Sequence, residues 1–191
     1  MVARQLSDPC QPFCGRSTEK RGPKNEPSDH ALGRSRGGFG TKLHLLSDGG
    51  GLPLNALLLP GQAHESTQFE DLLESVEVKQ ASGQRRRRPR RVGADRAYHA
   101  QWIRLWLRAH RIGRVIPPRK GRKKPRPGRP ISYDSSRYRG RNVIERCIGW
   151  LKECRSVATR FEKLAVHYLG MVQLAIIERY LKLLAPPEPS T

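Results

Sequence analysis

The chain has 191 residues and a formal net charge of +20, from 37 Lys and Arg against 17 Asp and Glu. This length suits one domain with its own core, and the charge indicates a polyanionic partner, usually nucleic acid. No run approaches the roughly 20 apolar residues that cross a bilayer, and the first residues lack the apolar core of a signal peptide. We therefore expect a cytoplasmic protein without membrane contact.

The N-terminal part and the rest of the chain differ in pattern. Residues 1–37 are rich in Gly, Pro, Ser and charge and have no sustained apolar period, so we expect an irregular or disordered segment. Residues 38–184 predict one α/β domain, a mixed sheet with helices on its faces, followed by a tail at 185–191. The predicted elements, in chain order, are a hairpin of strands at 38–47 and 52–59, a helix from Ser66 to Val76, a strand at 92–94, a helix at 100–110, a strand at 115–116, and helices at 140–156 and 166–184.

Two basic clusters interrupt this pattern. The first is an arginine run in an expected linker at residues 79–91, and the second lies in an expected extended loop. Their members are Arg85, Arg86, Arg87 and Arg88, and then Arg119, Lys120, Arg122, Lys123 and Lys124. We expect both to bind DNA phosphates with little sequence selectivity and a strong salt dependence. The alternative for each cluster is a solvated segment that binds nothing.

Four polar residues share one stripe of a predicted helix. At about 100° per residue, Tyr138, Arg141, Glu145 and Lys152 fall within an arc of about 60°, and apolar residues cover most of the remaining surface. One carboxylate between two cations and a phenol suits a metal-binding acid beside a phosphate backbone. The same spacing also fits a solvated face on which Arg141 and Glu145 pair at i, i+4. The spacing alone leaves both interpretations open.

The pattern Y-x2-R-x3-E-x6-K resembles the helix that carries the last acid of DDE transposases from bacterial insertion sequences. Further segments resemble the insertion-sequence-5 group of that family, in the same order along the chain. They are Ala31–Leu54, Leu58–Ser66, Val92–Ala100, Val115–Lys123 and Arg155–Ala175. The resemblance implies a ribonuclease-H-like fold and metal-dependent cleavage and transfer of DNA strands. It also implies DNA partners (the element ends and the target), an oligomer on DNA, and a place at the bacterial nucleoid.

The resemblance also assigns the candidate site. Asp95 corresponds to the second acid of the family and Glu145 to the third, and both would be catalytic and bind metal. Two Mg²⁺ ions are implied, for which Mn²⁺ can substitute, and Mg²⁺ prefers oxygen ligands. Tyr138, Arg141 and Lys152 would contact DNA. Taken alone, Asp95 also fits a turn aspartate or the N-cap of a helix.

The first acid of the family is expected on a strand upstream of the first matching segment. That region holds Asp8 and Asp29, and neither follows a β-branched apolar run. We therefore expect the first strand and its acid to be missing, as in a truncated or frameshifted copy. Such a copy would be inactive alone and would need an upstream-frame product or a fusion. The alternative is a catalytically inactive, DNA-binding remnant of a transposase.

Overall fold

The computed structural model of the chain describes residues 2–9, 30–35, 38–118 and 133–185. The strands are β1 Val2–Pro9, β2 Gly33–Ser35, β3 Gly38–Ser47, β4 Pro53–Pro60, β5 Val78–Lys79, β6 Arg85–Arg86, β7 Arg91–Ala94 and β8 Gly113–Val115. The helices are α1 Phe69–Glu74, α2 Gln101–Ala109, α3 Ser135–Arg139, α4 Asn142–Glu153, α5 Arg155–Ala158 and α6 Ala165–Leu184. Short 3₁₀ turns at Glu65–Gln68 and Arg96–Tyr98 come before α1 and α2. The predicted mixed α/β class is confirmed.

The main sheet is mixed in direction. Its strand order is β2-β3-β1-β7-β8, and β4 pairs with β3. The strands β1, β7 and β8 run parallel, with Ala3 opposite Ala94 and Val92 opposite Arg114. The strands β2 and β3 are antiparallel. Because β1, β7 and β8 run in one direction, their carboxyl ends share one edge of the sheet, where ligand sites of such sheets gather.

The expectation of a missing strand before the hairpin is wrong for residues 2–9. This segment forms β1 and pairs in parallel with β7, although residues 1–37 were expected to be irregular. The local sequence lacks the period-2 pattern of a strand. Pairing with a distant strand satisfies the backbone groups of both and can override weak local preference. Residues 10–29 of the N-terminal segment lie outside the described residues.

The hairpin and the longer helices follow the predicted pattern, and the short connections differ from it. The predicted helix at 140–156 is divided at Cys154, whose backbone is extended, into α4 and α5. The helix expected from Ser66 begins as a 3₁₀ turn that His64 caps, with its Nδ1 accepting from the Ser66 amide. The expected linker at 79–91 contains the two-stranded β5–β6 sheet. Its turn includes Gly83 at φ +80°, a conformation that favours glycine.

The chain divides into two compact units. Unit 1 comprises Met1–Gln5, His44–Asn55 and His64–Cys147, and unit 2 comprises Leu6–Leu43, Ala56–Ala63 and Ile148–Thr191. The buried side chains of unit 1 include Leu45, Leu46, Phe69, Leu72, Val92 and Ile144, and those of unit 2 include Leu43, Leu59, Leu151, Val157, Tyr168 and Val172. The expected single catalytic domain at 38–184 stays a prediction. Along the described segments, no helix is both long and apolar enough to cross a membrane.

Unit 2 is held together by a buried arginine. Arg160 is 5% exposed and donates to the carbonyl oxygens of His30 at 2.7 Å and Lys163 at 2.9 Å, and also to the hydroxyl of Thr41. Its guanidinium lies 5.2 Å from the centre of the Tyr168 ring. These partners replace the water that a buried cation loses.

Candidate functional site

Asp95 lies where β7 ends, at the carboxyl edge of the parallel strands. Its Oδ1 accepts a hydrogen bond of 2.8 Å from the Ala97 amide, so the carboxylate caps the 3₁₀ turn Arg96–Tyr98. The N-cap interpretation of Asp95 is therefore confirmed. The cap uses one oxygen, and the other makes no hydrogen bond or ion pair with the described residues. Asp95 is half-buried, so the cap fixes its direction and leaves one oxygen for a cation.

A buried pair stands behind Asp95. Tyr98 is 1% exposed, and its Oη lies 2.8 Å from Nδ1 of His44, which is fully buried on β3. Burial raises the pKa of the Tyr98 phenol, and the negative charges of Asp95 and Glu65 raise it further. The phenol therefore stays protonated. Sequence reasoning gave neither residue a role; the available signals were a histidine inside an apolar strand and a tyrosine three positions after the acid.

Three of the four polar residues around α4 come together. Arg141 Nη2 donates to Glu145 Oε1 at 2.8 Å, and these side chains are 21% and 28% exposed. The Arg141 guanidinium also lies over the Tyr138 ring, 5.2 Å from its centre. The i, i+4 ion pair that the spacing allowed is thus present. Lys152, in the last turn of α4, is exposed.

Tyr138 reaches this group from a separate helix. It belongs to α3, which Asp134 caps through a hydrogen bond from the Arg137 amide, whereas α4 begins only at Asn142. The turn between them is closed by a bond of 2.9 Å from the Arg141 amide to the Tyr138 carbonyl. The predicted stripe along one helix is therefore a stack of tyrosine, arginine and carboxylate across a turn.

The start of α4 is positioned by the β3–β4 turn. Asp48 Oδ1 accepts from the amides of Gly50 and Leu52, both at 2.8 Å, so its side chain closes the β3–β4 turn. Gly51 has φ +96°, and a Cβ placed there would lie 3.0 Å from Cγ1 of Val143. The hairpin turn thus packs closely against α4 two residues before Glu145, and this contact limits where the carboxylate can lie.

The described acids offer oxygen donors but no complete metal cage. Asp95 and Glu145 both lie in unit 1. Across the parts of the chain that the structure describes, no three His, Cys, Asp or Glu side chains gather in a way that could hold a metal ion. Mg²⁺ is commonly held by only one or two carboxylates, with water and substrate phosphate filling the other positions. The donor chemistry therefore fits Mg²⁺, and the convergence of both acids on one ion stays a prediction.

The strand beside Asp95 carries no acid at its level. Since Ala3 is opposite Ala94, the next position of β1 in this register is Arg4, just as Asp95 follows Ala94. Asp8 belongs to the same strand, about 13 Å farther along at roughly 3.3 Å per residue. A strand is thus present beside β7, and its residue level with Asp95 in this register is Arg4 rather than an acid. Asp29 lies outside the described residues.

The arginine run belongs to the exposed β5–β6 hairpin. Glu77 binds Arg85 at 2.7 Å and Arg87 at 2.8 Å, and these arginine side chains are 72% and 75% exposed. The hydrogen bonds from Arg87 and then Arg85 lower the pKa of the Glu77 carboxyl, which therefore stays ionised. Glu77 carries no signal in the sequence, because the pairing depends on the hairpin. The second basic cluster, Arg119 to Lys124, lies outside the described residues.

Comparisons with known proteins agree with one another. The family model described as "Transposase DDE domain" matches residues 15–177. A protein of Burkholderia cepacia named as a transposase for insertion sequence element IS402 is 32% identical over 127 residues. This match covers 66% of the chain and 56% of that relative, so the chain spans little more than half of the relative's length. No solved structure matches the chain significantly.

Proposed function

Since this chain belongs to the transposase DDE domain family, we propose that it takes part in metal-dependent cleavage and transfer of the DNA strands of an insertion sequence. The observation that carries the proposal is the stack of Tyr138, Arg141 and Glu145 at the start of α4. It places a fixed carboxylate beside a cation and an aromatic ring. These are the groups needed to hold a metal ion next to a DNA phosphate.

Asp95 and Glu145 are the proposed metal ligands. Mg²⁺, or Mn²⁺ in its place, would supply positive charge for the attacking and leaving oxygens of the phosphoryl transfer. The chain's own contribution is to aim the ligands. The Ala97 amide holds one oxygen of Asp95, and Arg141 holds Glu145. If both acids share a two-metal site, their carboxylates should lie within about 8 Å of each other.

Arg141 has a second proposed role in binding DNA. Its guanidinium has five N–H donors, and the ion pair with Glu145 engages Nη2. Stacking on Tyr138 orders the group in advance, which reduces the entropy lost when it meets a phosphate. We assign the same partner to Lys152 and to the β5–β6 hairpin. Element ends and target DNA are the substrates this assignment implies.

The finer family assignment is also part of the proposal. We propose a ribonuclease-H-like sheet and membership of the insertion-sequence-5 group. Such a sheet carries one strand before its hairpin, and β1 supports the assignment by occupying that place beside β7. The matched segments Ala31–Leu54 and Val92–Ala100 support the group. Assembly into an oligomer on DNA, with an upstream-frame product or a fusion, belongs to the same proposal.

A catalytically inactive DNA-binding remnant is the second candidate, and one observation favours it. The register places Arg4 level with Asp95, and within the described segments no three acidic, His or Cys side chains gather in a way that could hold a metal ion. A remnant would keep the fold and the basic surface and would lose turnover. The two candidates therefore differ in metal binding and cleavage, and they share DNA binding.

Calorimetric titration of the full chain with Mn²⁺ tests the proposed ligands. We expect Asp95→Asn and Glu145→Gln each to lower the Mn²⁺ affinity at least 10-fold, because the loss of even an outer-shell partner of a metal ligand costs roughly 10–100-fold. Glu153→Gln is the matched control, because Glu153 is an exposed carboxylate at the other end of α4. Unchanged Mn²⁺ affinity in both variants would remove the metal site and leave the remnant as the better description.

A further inference from the structure

We propose that His44 and Tyr98 are positioning residues, which fix the direction of Asp95 by tying the turn that follows it to the strand β3. The inference rests on the proposed function, because it takes Asp95 as a metal ligand. The observation behind it is a polar bond at full burial inside a core that is otherwise mostly apolar. Such bonds specify one geometry more strictly than apolar contacts do, because a buried polar group left without its partner is costly.

The 3₁₀ turn Arg96–Tyr98 connects this bond to the acid. At its start, Asp95 Oδ1 accepts from the Ala97 amide at 2.8 Å, and the Asp95 carbonyl accepts from the Tyr98 amide at 3.3 Å. At its end, the Tyr98 side chain leaves the turn and enters the core. A single turn therefore holds the carboxylate at one end and the buried phenol at the other. Any rotation of the turn moves both.

The buried end is fixed from two directions. The ring of His44 meets Tyr98 edge-on, with centroids 6.3 Å apart and planes at 87°, and Phe69 packs against Tyr98 at 5.7 Å. Tyr98 Oη lies 2.8 Å from Nδ1 of His44, so a hydrogen bond joins the two side chains. Ring packing alone would allow the phenol to slide. The hydrogen bond to His44 fixes the position and orientation of the turn relative to β3.

The turn is also tied on its outer side. Arg104 of α2 donates to the His99 carbonyl at 2.8 Å, one residue after the turn. This bond is partly exposed, whereas the His44–Tyr98 bond is buried. The buried bond is therefore the less easily replaced by water. We therefore expect the loss of the His44–Tyr98 bond to change the direction of the Asp95 carboxylate.

The test compares two buried tyrosines that undergo the same chemical change. Tyr98→Phe removes one hydroxyl beside Asp95, whereas Tyr168→Phe removes one in unit 2, where Tyr168 Oη donates to the Val157 carbonyl at 2.8 Å. Both residues are at most 2% exposed. We expect Tyr98→Phe to lower the Mn²⁺ affinity of the full chain about 10-fold, as the loss of an outer-shell partner does. Tyr168→Phe should lower the melting temperature and leave the Mn²⁺ affinity unchanged.

A second variant, His44→Leu, and a double-mutant cycle with Tyr98→Phe extend the test. His44→Leu removes the hydrogen-bond partner of Tyr98 and should reproduce the loss of Mn²⁺ affinity, and it decides the question if Tyr98→Phe does not fold. The double variant should lose no more than either single variant, because both remove the same bond. Parental Mn²⁺ affinity in folded Tyr98→Phe, or an equal loss in Tyr168→Phe, would overturn the inference. If Asp95→Asn keeps the parental Mn²⁺ affinity, the proposed metal site itself is wrong. If only Asp95→Asn lowers the Mn²⁺ affinity and Tyr98→Phe does not, the metal site stands and the positioning role is wrong.

Discussion

Replacing Glu77 by glutamine should make DNA binding steeper in its dependence on salt. Glu77 binds Arg85 and Arg87, so two of the four arginines of the hairpin are engaged by one carboxylate. The glutamine amide carries no charge, and both guanidiniums become available for phosphate. Each phosphate contact adds about 0.9 to the slope of log K against log salt, so two contacts add about 1.8. Between about 50 and 200 mM salt, the extra loss of affinity is then about 12-fold.

The assay is fluorescence anisotropy with labelled duplex DNA, repeated across that range of salt. Glu74→Gln is the matched control, since Glu74 is an exposed acid at the end of α1 and the change removes the same charge. Its slope should equal that of the parent chain. If Glu77→Gln also leaves the slope unchanged, DNA either displaces Glu77 already or does not meet the hairpin. In either case, the reasoning from the Glu77 contacts is refuted.

The remaining predictions concern the same hairpin and the stability of the fold. Changing Arg85–Arg88 to Ser in the parent chain should lower the slope of log K against log salt by about 1.8, because Glu77 leaves two of these arginines available for phosphate. An unchanged slope would show that the arginine run takes no part in DNA binding. Gly51→Ala should lower the free energy of unfolding by about 1–2 kcal/mol in urea titrations, because φ is +96° and the new Cβ would lie 3.0 Å from Cγ1 of Val143. Gly49→Ala is the control and should be close to neutral, because a Cβ there meets nothing within 4 Å. Arg160→Met should lower the free energy of unfolding by about 2–4 kcal/mol in the same titration, since the carbonyls of His30 and Lys163 and the buried Thr41 hydroxyl lose a partner. A change below about 0.5 kcal/mol would contradict the role given to Arg160.

Local patterns predicted the elements whose formation depends on near neighbours. The hairpin β3–β4 was marked by Asp48 and three glycines between two apolar runs, and Asp48 does cap that turn. The helix α6 was marked by a long apolar period and runs within one residue of its predicted bounds. In both cases the signal and the interaction that forms the element lie within a few residues of each other.

Elements that depend on distant partners were missed. The strand β1 has no strand pattern of its own and forms against β7, which is about 90 residues away in sequence. The burial of the polar side chains of Thr41 and His44 on β3 was also not predicted, because it depends on contacts with segments distant in sequence. The His44–Tyr98 bond joins residues 54 positions apart, and the histidine in an apolar strand and the tyrosine after the acid were signals too weak to predict it. The DDE transposase family of the chain was nevertheless identified correctly, because the motif spacings that carry the resemblance can be read from the sequence alone.

The sequence predicted which residues form the candidate site, but it did not predict how the backbone brings them together. Tyr138, Arg141 and Glu145 were named from spacing, and they do meet. The break between α3 and α4 was not predicted; it lies at the turn through Gly140, where the Arg141 amide bonds to the Tyr138 carbonyl. A helical projection cannot show such a break. Arg141 orders the Glu145 carboxylate and, in the proposed site, would compete with a metal ion for it.

That competition leads to the last prediction, which is that the chain alone cleaves DNA hardly above background. Two Mg²⁺ ions bring four positive charges, and Asp95 and Glu145 supply two negative ones. Arg141 already neutralises part of the charge of Glu145. The second ion should therefore bind weakly, and the attacking and leaving oxygens are not both stabilised.

The test is cleavage of DNA carrying the element's terminal repeat, by the chain alone and by a longer polypeptide that supplies a further acid from upstream. The longer form should cleave in Mg²⁺, and Glu145→Gln should abolish that activity while Glu153→Gln preserves it. Strong Mg²⁺-dependent cleavage by the 191-residue chain would contradict the charge argument. It would mean that Asp8 or Asp29 reaches the metal, and that the register of β1 with β7 shifts when DNA binds.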